Sequence, residues 1–277
     1  MPVRRLGDNE RRAVERLLDR DPYGASTVAE RVATRGLSAW GGGDGAIYGY
    51  GPRRRLESLC WVGAHITPVL AHSAATAAFA ELLHGQPRTC SSVIGHAEAV
   101  LDLWQRLEPG WGPARQVRAN QPLLMTDTPP ALAADPRVRL ARPDEIDAFW
   151  PAAAQMYTEE VGISPTAEDG GRAHHARVAR LLRAGRSYAR VVDGEVIFKA
   201  DLAAITRHTV QVQGVWVAPA WRGQGIGAAA MATVVRDALR RVAPTVSLYV
   251  NDYNTPARRA YRRCGFRQVG TFATVLF

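Results

Sequence analysis

The chain has 277 residues, 35 Lys plus Arg against 26 Asp plus Glu, and a formal net charge of +9. Its 47% hydrophobic and 22% charged residues suit a globular core and exclude a disordered chain. The charge is uneven: residues 1–136 hold 15 basic and 14 acidic side chains and residues 137–277 hold 20 and 12, which excludes the uniform basic coat of a chromatin protein.

In chain order, the first half reads as a strand over 3–6 and helices over 8–20 and 25–35. Strands follow around 37–40, 46–50 and 57–63, then a helix over 73–84, a strand over 89–94, a helix over 96–107 and a strand over 121–125. The longest uncharged run, 58–80, contains Pro68, His65, His72 and many small polar residues, too broken for a membrane span. Asp127-Thr128-Pro129-Pro130 and Asp135-Pro136 interrupt regular structure and mark a boundary. The expected domains are 1–130 and 137–277.

The second half opens with a strand over 138–141. Pro143-Asp144-Glu145 then starts a helix that runs to about Tyr157 and is closed by Glu159-Glu160-Val161-Gly162. A helix spans 171–184. Strands over 187–192 and 196–204 form a hairpin turned at Asp193-Gly194, and 209–217 is a third, Val-rich strand. A helix over 225–242, a strand over 246–250, a helix over 255–264 closed by Gly265 and a strand over 269–277 complete it. The order is β-α-α-β-β-β-α-β-α-β, and the first half repeats it without visible sequence identity. The fold class is α/β.

Met1-Pro2-Val3-Arg4-Arg5 lacks the apolar stretch of a signal peptide, and Cys60, Cys90 and Cys264 fit neither a disulfide framework nor a metal site. The expectation is a reduced, cytoplasmic protein without metal. His174-His175 reads as surface helix, since adjacent histidines cannot face one metal along a helix.

The most informative stretch runs from Val215 to Ala228, where a strand leads through Pro219-Ala220-Trp221 into Arg222-Gly223-Gln224-Gly225-Ile226-Gly227 and a helix. Glycines let backbone approach a ligand, and the free N–H groups of a first helical turn, with the helix dipole, form an anion site that suits a pyrophosphate. Gly223-x-Gly225-x-x-Ala228 also satisfies a dinucleotide fingerprint. That reading lacks a strand feeding directly into the first glycine and an acid at the end of the next strand.

The same residues form an (R/Q)xxGx(G/A) loop, and here the sequence resembles the GNAT superfamily of acyl-CoA-dependent N-acyltransferases. A second motif supports it, Asn254-x-x-Ala257-x-x-x-Tyr261-x-x-x-Gly265-Phe266. The resemblance covers about 137–277. With Phe198-Lys199-Ala200-Asp201 and 213–219 it is similar to an actinobacterial GNAT group with an additional N-terminal domain. It implies a mixed, mostly antiparallel sheet flanked by helices, preceded by a degenerate GNAT-like α/β domain without the glycine loop. The family usually ends in a two-strand hairpin. Here 267–277 leaves room for one strand, so the last strand is lacking or comes from the N-terminal half or a second subunit of a homodimer.

The resemblance further implies that the amides of Gly223, Gln224, Gly225, Ile226, Gly227 and Ala228 bind the coenzyme A pyrophosphate. The backbone of Val215 and Val217 would pair with the pantetheine arm like an added strand. Asn254 would bond near that arm, and Tyr261 would protonate the leaving thiolate. Arg222 and Arg259, with Arg258, Arg262 and Arg263, are phosphate candidates. Each has a plainer reading as well: Tyr261 as a core tyrosine, Asn254 as a helix cap, the arginine pairs as a solvated face, Trp216 and Trp221 as packing. Glu160 and Asp201 are the candidate general bases, with Glu159 and His208 nearby in sequence; a water relay is the alternative. The function implied is acetyl transfer from acetyl-CoA to a primary amine of a small molecule or peptide by direct attack in a ternary complex. The other reading is a non-catalytic acyl-CoA-sensing or protein-interaction module. Nucleic-acid binding fits poorly, because no recognition motif accompanies the arginines.

Overall fold

The computed structural model describes residues 3–37, 45–53, 55–167 and 169–277. The elements are β1 (Arg4–Arg5), a 3-10 turn (Asp8–Glu10), α1 (Arg11–Leu18), α2 (Ser26–Arg35), β2 (Ala46–Tyr50), β3 (Ser58–Val62), β4 (His65–Val69), α3 (Ser73–His84), β5 (Ser92–His96), α4 (Ala97–Trp111) and β6 (Gln116–Thr126). They continue with β7 (Arg139–Leu140), a 3-10 turn (Pro143–Glu145), α5 (Ile146–Val161), α6 (Arg172–Arg183), β8 (Ser187–Val192), β9 (Glu195–Ile205), β10 (Val210–Val217), a 3-10 turn (Pro219–Trp221), α7 (Ile226–Arg241), β11 (Val246–Tyr249), α8 (Thr255–Arg263) and β12 (Arg267–Leu276). The order β-α-α-β-β-β-α-β-α-β occurs twice. Pairing repeats as well: in each half three antiparallel pairs precede one parallel pair, β4 with β5 and β10 with β11.

Two compact units result, and neither is one continuous segment. One comprises Met1–Leu124, Tyr249–Tyr253 and Gln268–Phe277; the other comprises Met125–Leu248 and Asn254–Arg267.

In the first unit, β3 shows how the layers arise. Leu59 and Trp61 pack with Val14, Leu17, Leu18, Val28 and Val32 of α1 and α2. Cys60, between them, packs with Phe79 of α3 and Val100, Leu103 and Leu107 of α4. Alternate strand residues face opposite ways, so the two helix pairs cover opposite faces. The strand beside β5 is β12, antiparallel from Phe272↔His96 to Leu276↔Ser92, with β6 next. By the repeat, β6 would hold the place beside β5.

In the second unit the strand order is β11-β10-β9-β8-β7. Phe149, Ala152 and Ala153 of α5 and Val178 and Leu182 of α6 pack on Ala189, Val196 and Trp216. Tyr188, adjacent to Ala189, instead donates its hydroxyl to Asp237 of α7 at 2.7 Å, so α7 lies on the other face.

Three sequence expectations need adjustment. Residues 65–69 form a strand, where the sequence reads as a connection. Gly63 donates its N–H to His65 O, and the chain folds back so that Leu59 faces Val69. Pro68 falls beyond the two residues by which β4 pairs β5, so its missing N–H is not needed there. Helix α5 runs to Val161, not Tyr157, because the left-handed turn that ends it is at Gly162, φ +81°. Glu159 and Glu160 therefore stand on the last helical turn. The expected strand around 37–40 falls largely outside the described residues. His174 and His175 are half-buried rather than solvated, both rings packing on Trp150 at 5.2 Å.

Candidate functional site

Strand β10 pairs β11 only at Val210↔Val246 and Gln211↔Ser247. On its other side it follows β9 through a bulge, where Gln213 faces Asp201 and Trp216 faces Lys199. Gly214 in the bulge has φ +59°, and a Cβ there would stand 2.8 Å from Lys199 Nζ and 2.9 Å from Asp201 Oδ2. Only glycine fits. Beyond the bulge, Ala218 donates its N–H to Ile197 O on β9 at 2.9 Å. Alternation then turns the backbone groups of Val217 and Val215 to the opposite side, beyond the reach of the β11 pairing.

The edge leads through the 3-10 turn into the glycine loop. Gly223 and Gly225 have φ of +78° and +79°, and a Cβ at either would meet no atom within 4 Å. Glycine is required here by conformation, and the space beside it is open. Gly225 caps α7 without any side-chain hydrogen bond. The first-turn N–H groups of Ile226, Gly227 and Ala228 are thus uncapped by side chains, as an anion site needs. Cys264 fixes this turn to α8: its thiol, pushed up to about 11 by burial, donates to Ala228 O at 3.4 Å. Gln224 Nε2 donates to Ala220 O at 3.3 Å.

Arg222 folds back along the loop. Its Nε donates to Val217 O at 2.8 Å and its terminal nitrogen to Glu159 Oε2 at 2.7 Å. Glu159 Oε2 also accepts from the Trp216 indole at 3.3 Å. Trp216 is a buried packing residue, and Trp221 lies over the Arg190 guanidinium at 5.9 Å.

On α8, Asn254 Oδ1 accepts from Ala257 N at 3.2 Å and caps the helix. Tyr261 is 6% exposed and lies edge to face with Phe266, ring centres 5.8 Å apart. Burial raises its phenol well above the ordinary value, and the charge of Glu160 adds to the effect. The phenol stays protonated, and two candidate catalytic residues, Tyr261 and Glu160, come within electrostatic reach. Asp201 is placed differently. Its Oδ2 accepts from buried Lys199 Nζ at 2.6 Å and its Oδ1 from Ser187 Oγ at 2.7 Å, while Lys199 also donates to Gly214 O at 2.9 Å. Both oxygens are engaged. His208 lies in the turn between β9 and β10 and accepts from Arg207 Nε at 3.0 Å.

Residues 222–277 hold nine arginines against Asp237 and Asp252, and several of these arginines are engaged within the protein. Arg236 bonds the carbonyls of Pro130 and Leu132, Arg240 and Arg241 hold Asp237, and Arg267 pairs with Asp127. Arg259, Arg262 and Arg263 stand exposed on α8.

His174 carries the signal that the sequence did not show. Its ring lies tilted against Tyr157, centres 4.8 Å apart, as well as against Trp150. Its buried Nδ1 has no hydrogen-bond partner. Burial lowers its pKa, with the charges of Arg177 and Lys199 acting the same way and Asp201 opposing.

In the first unit the place equivalent to the glycine loop is built otherwise. Leu70-Ala71-His72 leads straight from β4 into α3. Asp102 of α4 accepts from Thr76 in the first turn of α3, and Arg106 donates to Ser73 Oγ at 2.9 Å. An internal carboxylate thus bonds a side chain of the first turn of α3, in a connection that has no glycine.

Among the described residues, no three His, Cys, Asp or Glu are placed to share a metal ion, and no helix is long and apolar enough to cross a membrane.

A strand edge, a glycine turn and a helix start without a side-chain cap thus follow one another in the second unit. Residues 148–266 match the acetyltransferase (GNAT) family, and residues 45–149 match a domain of unknown function, DUF4081. The similarity to the GNAT family thus lies in the C-terminal half of the chain. Solved structures share the fold over nearly the whole chain. A Drosophila protein is 15% identical, with TM-score 0.70 over 99% of this chain and 98% of its own. A GCN5-related N-acetyltransferase from Sphaerobacter thermophilus is 17% identical, with TM-score 0.58 over 99% and 95%. A tandem GNAT protein from the clavulanic acid biosynthesis pathway, solved without AcCoA, is 14% identical, with TM-score 0.55 over 99% and 98%. No curated protein matches the chain.

Proposed function

We propose that the second unit is a cytoplasmic N-acetyltransferase, moving an acetyl group from acetyl-CoA to a primary amine of a small molecule or peptide. The observation that carries this is the β10 edge at Val215 and Val217, past its pairing with β11, leading into a helix start without a side-chain cap. The amides of Gly223–Ala228 receive the pyrophosphate, with Arg259 and its α8 neighbours adding charge. Val215 and Val217 align the pantetheine arm, and Asn254 holds the start of α8 beside it.

The amine attacks the thioester carbonyl directly. The tetrahedral intermediate collapses with loss of the thiolate, which takes the Tyr261 proton. Glu160, with its exposed carboxylate, takes the ammonium proton. Asp201 serves the bulge by holding Lys199. Calorimetric titration with coenzyme A and turnover of acetyl-CoA over an amine panel test the reading. Coenzyme binding without turnover on any amine supports the acyl-CoA-sensing alternative, which the engagement of both Asp201 oxygens favours. Binding of polynucleotide but not of coenzyme removes both.

A further inference from the structure

The Arg222–Glu159 contact has a consequence for how the coenzyme enters, granted the coenzyme site above. An added strand along β10 needs Val217 O, which faces away from β9. In this structure Arg222 Nε already donates to that oxygen at 2.8 Å. Arg222 is kept there by Glu159, which accepts at 2.7 Å while bonding Trp216 at 3.3 Å and Gln155 at 3.1 Å. The carboxylate is therefore oriented by two further donors, and one guanidinium spans the strand edge and the last turn of α5.

We propose that Glu159 is an internal competitor for the coenzyme: it holds Arg222 over Val217 O as a cover, and the incoming coenzyme displaces it. The exchange is favourable on two counts. The Arg222 and Glu159 side chains are 48% and 39% exposed, and ion pairs so exposed contribute little. The pyrophosphate offers Arg222 more negative charge, beside a helix N-terminus that already favours an anion. The coenzyme arm takes over the bond to Val217 O that Arg222 gives up.

The sign of the effect separates this from an ordinary clamp. If Glu159 only braced the loop, its loss would weaken coenzyme binding. As a competitor, its loss strengthens binding. Glu159→Gln keeps an acceptor for the Trp216 indole and removes the charge. Titration of the full chain with coenzyme A should show binding tightened about two- to five-fold in Glu159→Gln, the range set by one exposed ion pair. In an Arg222→Gln background the same substitution should change the affinity by less than about 1.5-fold, because no guanidinium is left to release.

Unchanged or weaker binding in Glu159→Gln overturns the proposal. So does equal tightening in both backgrounds, which would show that Glu159 repels the coenzyme through bulk charge alone. If neither wild type nor variant binds coenzyme A, the coenzyme-site reading itself fails, and the competitor with it.

Discussion

Lys199, the single lysine of the chain, donates to Asp201 at 2.6 Å and to the carbonyl of Gly214 at 2.9 Å, so one buried ammonium holds the β10 bulge in shape. The pair is nearly enclosed, under the ring of Phe149 at 5.5 Å. Lys199→Met leaves Asp201 without its cation and should cost about 3–5 kcal/mol of stability. Gly214→Ala should be destabilising as well, since a Cβ meets both partners at a left-handed φ. Urea unfolding midpoints measure both. A midpoint for Lys199→Met within error of wild type would show that the pair does not support the fold.

Tyr261→Phe should lower turnover of acetyl-CoA about a hundredfold, within the range of general acid catalysis, with little change in coenzyme affinity. The ring still packs on Phe266, so the fold should persist. Steady-state kinetics with direct titration separates the two quantities, and an unaltered turnover would reduce Tyr261 to a core residue.

The arginines divide into two groups. Arg259→Ala, with Arg262→Ala and Arg263→Ala as companions, should weaken coenzyme A binding and flatten its dependence on salt. Arg240→Ala should leave that affinity unchanged, because Arg240 is committed to Asp237 at 2.8 Å. Titration at two ionic strengths distinguishes them, and equal losses in both groups would contradict the division.

Two limbs of the stability–pH profile follow from named pairs. The hydrogen bonds from Arg139, against some burial cost, hold the Glu145 carboxyl at about 2, below its ordinary 4.5. Its stabilisation is complete above about pH 4.5 and is lost as pH falls towards 2. Glu145→Gln should flatten that acid limb. In the first unit, the hydrogen bond to Asp21, 2.9 Å away, raises the His96 pKa above 6.5. That contribution is complete below pH 6.5 and is lost as pH rises through the raised value, so Asp21→Asn should remove it. Chemical denaturation across pH measures both limbs.

Much of the architecture was legible from local pattern. Val178, Leu181 and Leu182 lie at helical spacing, the Val-rich 209–217 alternates as a strand, and Gly162, Gly185 and Gly265 close their segments. The glycine loop was legible because its backbone demands are local: a positive φ at Gly223 and Gly225 leaves a signature in residue type. The order of elements was legible in the second half; in the first half it was reached without the strand at 65–69. The misread strand at 65–69 shows the limit, since Pro68 argues against a strand until the pairing shows which side must donate.

Tertiary structure decided what each charged side chain does. Nothing in the chain's order tells that Asp201 belongs to Lys199, that Glu159 reaches Arg222 across 63 residues, or that Glu160 acts on Tyr261. It also decided that β12, the last strand in sequence, lies beside β5. The reason is physical: helix and turn preferences are set within a few residues. Ion pairs and strand partners are set by which distant groups packing brings within about 3 Å, where an electrostatic contact becomes decisive.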